Sequence, residues 1–330
     1  MFCFRPLALS VFSFLLLCLL AFILSGPLKV GRACSIPVFQ YALERWPSDP
    51  YDLLVLYKER LTEQEEKLVS WIKGCAEKSP YANLRVAVRD ISTLNNEEKK
   101  VLPVKLEKLP LPYLLLRYPV VFQIPVFAWH GPLTAENAKK LVDSPARRKL
   151  ATRLLDGHTA VWLFLSSGKA SKDKAAKQRL EKILNKASKL LELPPPPPDP
   201  FAEDYTEQPL EGGEELSKKE EEQVRHPVFS VLEVPRGDPQ EEIFVSMLLG
   251  IEPDLRSLKE PITFPVFGRG RALFAYVGDG INEDNIAEAC MFLTGPCSCQ
   301  VKGMNPGIDL LMAVDWESAL ESLYSGEPTP

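Results

Sequence analysis

The run Leu-Pro-Tyr-Leu-Leu-Leu-Arg-Tyr-Pro at residues 111–119 constrains this chain more than any other stretch. It is short and apolar, opened by Pro112 and closed by Pro119, and rich enough in Leu and Tyr to be a buried strand. What surrounds it reads as strand, helix, strand, connection, this strand, a further strand and a helix. The same order recurs in the second half, around Phe264-Pro-Val-Phe267.

In detail, Cys34-Ser-Ile-Pro-Val-Phe39 leads to Trp46 and a turn at Pro47-Ser-Asp-Pro50. Residues 52–58 read as a buried strand. Thr62 opens a helix with Glu65 completing a capping box, and Leu68, Trp71, Ile72 and Cys75 recur on its packed face. Residues 84–91 alternate like a strand with one wetter face, and 95–108 are polar and irregular. After the 111–119 strand come a strand over 124–129, ending at His130-Gly-Pro132, and a helix over 145–156 that starts on Pro145 and stops before Gly157. The second half begins with an apolar strand at 159–166 and a lysine-rich amphipathic helix to Leu193, with Leu180, Ile183, Leu184 and Leu191 on its apolar face. Its lysines form the solvated side; a membrane-surface role is the alternative. Prolines 194–198 end it. Residues 194–225 carry ten acids against three bases, the composition of a disordered Pro/acidic linker or excursion. Strands at 228–234, 262–267 and 272–277, helices at 240–249 and 283–293, a strand at 308–314 and an acidic helix after Asp315 complete the series.

Strand-helix-strand-helix-strand-strand-helix with a proline before the third strand resembles the thioredoxin fold, over residues 51–157 and again over 159–294 with 194–225 as an excursion. Val-Phe preceded by proline occurs four times, at 37–39, 125–127, 227–229 and 265–267. Pro112 and Pro265 match the family's cis-proline by position. The resemblance implies an α/β fold of two thioredoxin-like, three-layer α/β/α domains in tandem, residues 34–158 and then 159–193 with 226–296. Residues 297–330 are left as a C-terminal tail. In that family a Cys-x-x-Cys pair sits where the first strand meets the first helix, where the helix N-terminus lowers a thiol pKa. Here those junctions are Glu59-Arg-Leu-Thr-Glu63 and Ser167-Gly-Lys-Ala-Ser171, with no cysteine in either. The resemblance is therefore to redox-silent members that bind and position other proteins. The whole chain is also similar to a group of uncharacterised secreted bacterial proteins that share the Cys-Ser-Ile-Pro-Val-Phe and Cys-Ser-Cys-Gln-Val-Lys segments.

Residues 1–33 read as a targeting segment. Arg5 is the only charge before an eighteen-residue run, 7–24, whose only polar side chains are Ser10, Ser13 and Cys18. That length lies between signal-peptide cores of about 7–15 residues and spanning helices of about 18 or more. Cleavage after Gly31-Arg-Ala33, an uncleaved anchor and lipidation of Cys34 are the three routes. Each delivers an extracytoplasmic body, in the periplasm or cell envelope, secreted or held by a membrane tether through residues 7–24 or Cys34. Without residues 1–33 the chain has 36 basic and 44 acidic groups, a net charge of −8. No basic surplus exists to neutralise phosphates, which argues against a nucleic-acid partner.

Five cysteines remain after Ala33: Cys34, Cys75, Cys290, Cys297 and Cys299. Cys75 falls on the packed face of its helix. Cys297-Ser-Cys299 is the one compact constellation. Residues two apart on an extended backbone face the same way, so both sulfurs can grip one soft ion such as Cu or Zn, with Cys290 as a third ligand. The same pair as a strained disulfide would suit thiol exchange, and bridging to another cysteine, Cys290 included, would be structural. His130, His158 and His226 read as polar turn residues. Gly268-Arg-Gly-Arg271 reads as a hairpin turn whose Arg269 and Arg271 are candidates to receive an acidic partner. No nucleophile elbow or phosphate loop is present. The expectation is a non-catalytic binding or scaffold protein that engages another envelope or membrane protein, without a cofactor. The alternative is exchange or soft-metal handling at Cys297 and Cys299.

Overall fold

The chain starts its first sheet where proline and aspartate stop interrupting it. The computed structural model describes residues 36–78, 81–100, 102–103, 108–194, 224–297 and 300–325. Helix α1 (Val38–Arg45) is followed by β1 (Tyr51–Tyr57), α2 (Glu63–Glu77) and β2 (Leu84–Asp90). A short α3 (Asn96–Lys100) precedes β3 (Tyr113–Arg117), β4 (Phe127–Pro132), α4 (Ala135–Val142) and α5 (Pro145–Leu155). The expected capping box opens α2: Thr62 Oγ1 accepts from the Glu65 amide at 3.3 Å and the Glu65 carboxylate accepts from the Thr62 amide at 2.7 Å.

The second half runs β5 (Ala160–Leu165), α6 (Ala170–Leu190), β6 (Phe229–Val234), α7 (Glu242–Leu249), β7 (Ile262–Phe267), β8 (Arg271–Ala272) and β9 (Tyr276–Val277). It closes with α8 (Glu283–Thr294), β10 (Ile308–Asp309) and α9 (Trp316–Ser325). The protein is mixed α/β with two sheets. The first has the order β2-β1-β3-β4, with β1 parallel to β2 and antiparallel to β3, and β3 antiparallel to β4. The second has the order β10-β8-β7-β5-β6, with β5 parallel to β6 and antiparallel to β7, and β9 also on β7.

Alternation along the strands divides the interior. Tyr51, Leu53 and Val55 of β1 and Val161, Leu163 and Leu165 of β5 share one core, to which α2, α4, α5 and α7 contribute. Burying a side chain of this size is worth about 1.5–3 kcal/mol each. The other face of β5, with Trp162 and Phe164, packs under α1, α6 and α8. The other face of the first sheet, with Leu56 and Leu115, is covered by Leu94 and Leu109. Residues Ser35–Pro330 form one compact unit.

Several expectations are corrected. Residues 38–45 are a helix whose buried Val38 and Ala42 join the cluster under the second sheet, while Leu43 packs against the core shared by both sheets. Residues 308–320 are no tail. Leu310, Leu311 and Met312 are buried, and the stretch pairs with β8 at Ile308↔Ala272 and bridges to the first half at Ala82↔Ala313. Trp71 is 43% exposed, and Val69 takes its place in the core beside Ile72 and Cys75. Pro265 lies inside β7, and Pro261 holds the position before it; among the described residues the one cis peptide is Leu111–Pro112. Pro265 also explains why the expected strand at 272–277 is interrupted. Its carbonyl accepts from the Leu273 amide at 2.9 Å, so its missing N–H faces the same edge, and the ladder opens there with one extra residue on the 272–276 side. Among the described residues no helix is long and apolar enough to cross a membrane. Residues 7–24, Cys34 and most of the 194–225 segment lie outside the described residues.

Candidate functional site

The two strand–helix junctions, where chemistry is expected on the sequence resemblance, are occupied by the chain's own polar groups. After β1 the chain turns through Glu59, in the left-handed region at φ 66, and the Arg60 amide donates to Lys58 O at 2.9 Å. The capping box of Thr62 and Glu65 then satisfies two donors at the start of α2 that would otherwise await an anion. After β5 the Ser167 and Gly168 amides donate to the two carboxylate oxygens of Asp173, at 2.7 and 3.1 Å. Lys172 pairs with Glu260 at 2.5 Å across a cleft of about 360 Å³ lined also by Arg179, Pro261 and Asp279.

The cysteines lie elsewhere. Cys75 is buried near the end of α2, and burial pushes its thiol pKa up. Cys290 is buried in the middle of α8 and its thiol is pushed up to about 12 by desolvation. Cys297 is buried in the same apolar cluster as Cys290, and its amide donates to Ile36 O at 3.0 Å. Cys34 and Cys299 lie outside the described residues, so the Cys297/Cys299 pair and the lipidation position are not seen together with their surroundings. Among the described residues no group of three or more His, Cys, Asp or Glu side chains is placed to hold a metal ion.

Arg269 and Arg271 are not displayed on a hairpin tip. Gly268 and Gly270 both take positive φ, 56° and 90°, and turn the two arginines inward. Arg269 donates to Leu43 O at 2.7 Å and Glu44 O at 3.1 Å, capping the C-terminal carbonyls of α1, and pairs with Glu317 at 2.5 Å. Arg271 donates to Asp309 Oδ1 at 2.9 Å, Pro306 O at 3.0 Å and Asn305 O at 2.9 Å. Its guanidinium lies 5.9 Å from the Trp46 ring and 5.7 Å from the Phe122 ring. The acidic partners of both arginines are the chain's own.

Two buried polar groupings were not legible from the sequence. Arg147, 1% exposed, donates to Leu141 O at 3.0 Å, Val142 O at 3.2 Å and Leu311 O at 3.2 Å, and burial brings its pKa down to about 10. Beside it Glu241 accepts from Ser144 Oγ at 2.5 Å and from the Ala146 amide at 2.7 Å. An amphipathic pattern predicts charged residues on the wet face; nothing local marks these as inside. The histidines are ordinary polar neighbours: Tyr113 Oη to His130 Nδ1, Ser230 Oγ to His158 Nδ1 and Leu191 O to His226 Nδ1 are each 2.9 Å.

A groove of about 880 Å³ runs between α2, α4 and the start of α5, floored by Trp71, Cys75 and Val142. Ion pairs rim it, Lys140 with Glu136 at 2.5 Å and Arg148 with Asp143. Its thiol, Cys75, is buried and carries a raised pKa. Set beside protein-family models, curated proteins and solved structures, the chain finds no match in any of the three comparisons.

Proposed function

We propose that this protein is an extracytoplasmic, non-catalytic binding or scaffold protein built from two thioredoxin-like domains, which engages another component of the cell envelope. One observation carries the reading. Both strand–helix corners lack cysteine, and each holds backbone amides with the chain's own groups: the Thr62–Glu65 capping box closes the start of α2, and Asp173 takes the Ser167 and Gly168 amides just ahead of α6. A helix N-terminus capped as that of α2 is has less left with which to stabilise a thiolate. The tandem reading is supported by strand direction: in each sheet a central strand has a parallel neighbour on one side and an antiparallel one, preceded by proline, on the other. The expected targeting segment is the ground for the extracytoplasmic location.

The test sets the native chain beside Cys297→Ser plus Cys299→Ser. Both are assayed for exchange with a small disulfide substrate, for bound Cu and Zn, and for capture of a partner from solubilised envelope membranes. The binding reading expects the same partner with both proteins and no exchange above the uncatalysed rate. Exchange or stoichiometric metal in the native chain, lost in a folded double variant, would replace it with thiol or soft-metal chemistry.

A further inference from the structure

Single exposed apolar side chains are ordinary on protein surfaces, whereas a cluster of them marks a contact. Val120 and Val121 are 68% and 65% exposed on a short turn, Val120–Phe122, and Val301 and Met304 are 60% and 75% exposed around another, Lys302–Met304. Arg271 brings these two turns together. Its guanidinium lies 5.7 Å from the Phe122 ring and donates to the carbonyls of Asn305 and Pro306, immediately after the second turn.

The polypeptide enters the folded body at the same end. The Cys297 amide donates to Ile36 O, the Val38 amide to Gly295 O and Trp46 Nε1 to Gln300 O, each at 3.0 Å, and the Trp46 ring faces the same Arg271. Upstream of Ile36 the sequence holds the eighteen-residue apolar run 7–24, long enough to reach the lower limit of a spanning segment. Residues 25–35 between them extend to at most about 40 Å. A body on so short a tether meets the lipid surface at high effective concentration, so a small apolar patch is enough to dock it.

We propose that this end of the body is a lipid-contacting surface, in which Val120, Val121, Val301 and Met304 enter the boundary between headgroups and acyl chains. The inference rests on the extracytoplasmic reading above, taken with its uncleaved-anchor route. The recognised chemistry is the apolar interior rather than an anionic headgroup. The body carries a net charge of −8, and Lys302, between the patch residues, is paired with Asp49 at 2.8 Å and with Asp309. Docking therefore holds on zwitterionic, net-neutral phosphatidylcholine and changes little with salt.

The test uses the full chain reconstituted into phosphatidylcholine vesicles, with Val121→Trp, Met304→Trp and, as control, Leu190→Trp on the exposed side of α6. Brominated phosphatidylcholine quenches only indoles at bilayer depth, and native tryptophan emission is subtracted from each variant. The inference expects blue-shifted emission and roughly twofold quenching at positions 121 and 304, with position 190 unaffected, as for side chains buried about 5–10 Å into the interface. Equal, water-like emission at all three positions overturns it, whether or not the chain stays with the vesicles. Release of the chain by alkaline extraction, with quenching at 121 and 304 present beforehand, supports the patch and removes the tether instead.

Discussion

Arg271 Nη1 donates to Asp309 Oδ1 at 2.9 Å with both side chains about 95% out of solvent, 5% and 4% exposed. Asp309 also accepts from the Asp49 amide at 2.6 Å and from Lys302, while its carbonyl accepts from Tyr51 Oη at 2.9 Å. One carboxylate thus ties the edge of the second sheet to the start of β1.

Asp309→Leu leaves the buried Arg271 guanidinium without a carboxylate, which costs about 3–5 kcal/mol, whereas after Arg271→Met the Asp309 carboxylate keeps its pair with Lys302. Asp309→Leu is therefore expected to lower the urea midpoint strongly, Arg271→Met by less, and the double variant to recover part of the Asp309→Leu loss. Arg271→Met that unfolds like the native chain but fails to bind a partner would return Arg271 to the surface role expected from its hairpin.

Glu241 holds the start of α5 from the head of α7, through Ser144 Oγ and the Ala146 amide. Glu241→Ala strands two buried donors and should cost about 1–3 kcal/mol in chemical denaturation. Glu241→Gln keeps one acceptor oxygen and should fall between. Equal stability of all three proteins would show that water enters this junction.

Burial lowers the pKa of both His130 and His158, with Arg256 and Arg153 adding to the effect respectively. A histidine whose folded pKa lies below its unfolded value of about 6.5 binds fewer protons in the folded state. Its contribution is therefore complete above that value and is lost as pH falls through the depressed folded pKa. The melting temperature should drop between about pH 7 and pH 5, and His130→Gln plus His158→Gln should flatten that part of the profile. An unchanged slope in the double variant would assign the drop to other groups.

Cys290, with its pKa at about 12, is ionised to roughly one part in ten thousand at pH 8. Iodoacetamide should leave it unmodified in the native protein over hours and label it within minutes in guanidinium, read by peptide mass spectrometry. Rapid native labelling would mean that α8 opens readily, and would revive Cys290 as a candidate ligand beside Cys297.

Much of the architecture was legible beforehand because strand burial leaves a local trace. The residues 111–119 run, the apolar stretch around Trp162 and the Thr62–Glu65 cap all appear where pattern and capping chemistry place them. The candidate site was less legible. Arg269 and Arg271 sit in a turn that sequence rules assign to solvent, yet their donors are used up by Leu43, Glu44, Asn305, Pro306, Asp309 and Glu317, far away along the chain. Helix α1 was missed for a related reason. Its Val38 and Ala42 are buried in a cluster with residues remote in sequence, Phe267, Cys290 and Leu293 among them.

From order and composition alone, this chain reads as an α/β protein with most of its strands near the places named, cysteine-free strand–helix junctions and a long apolar stretch ahead of Ile36. Periodicity reports the average wetness of each face, and that is enough to choose helix or strand. It carries no information on which remote carbonyl or carboxylate an arginine will meet. That matching, and with it the burial of Arg147, Arg271, Glu241 and Asp309 and the gathering of the Val120 and Met304 turns at one end, was settled only when the two sheets packed.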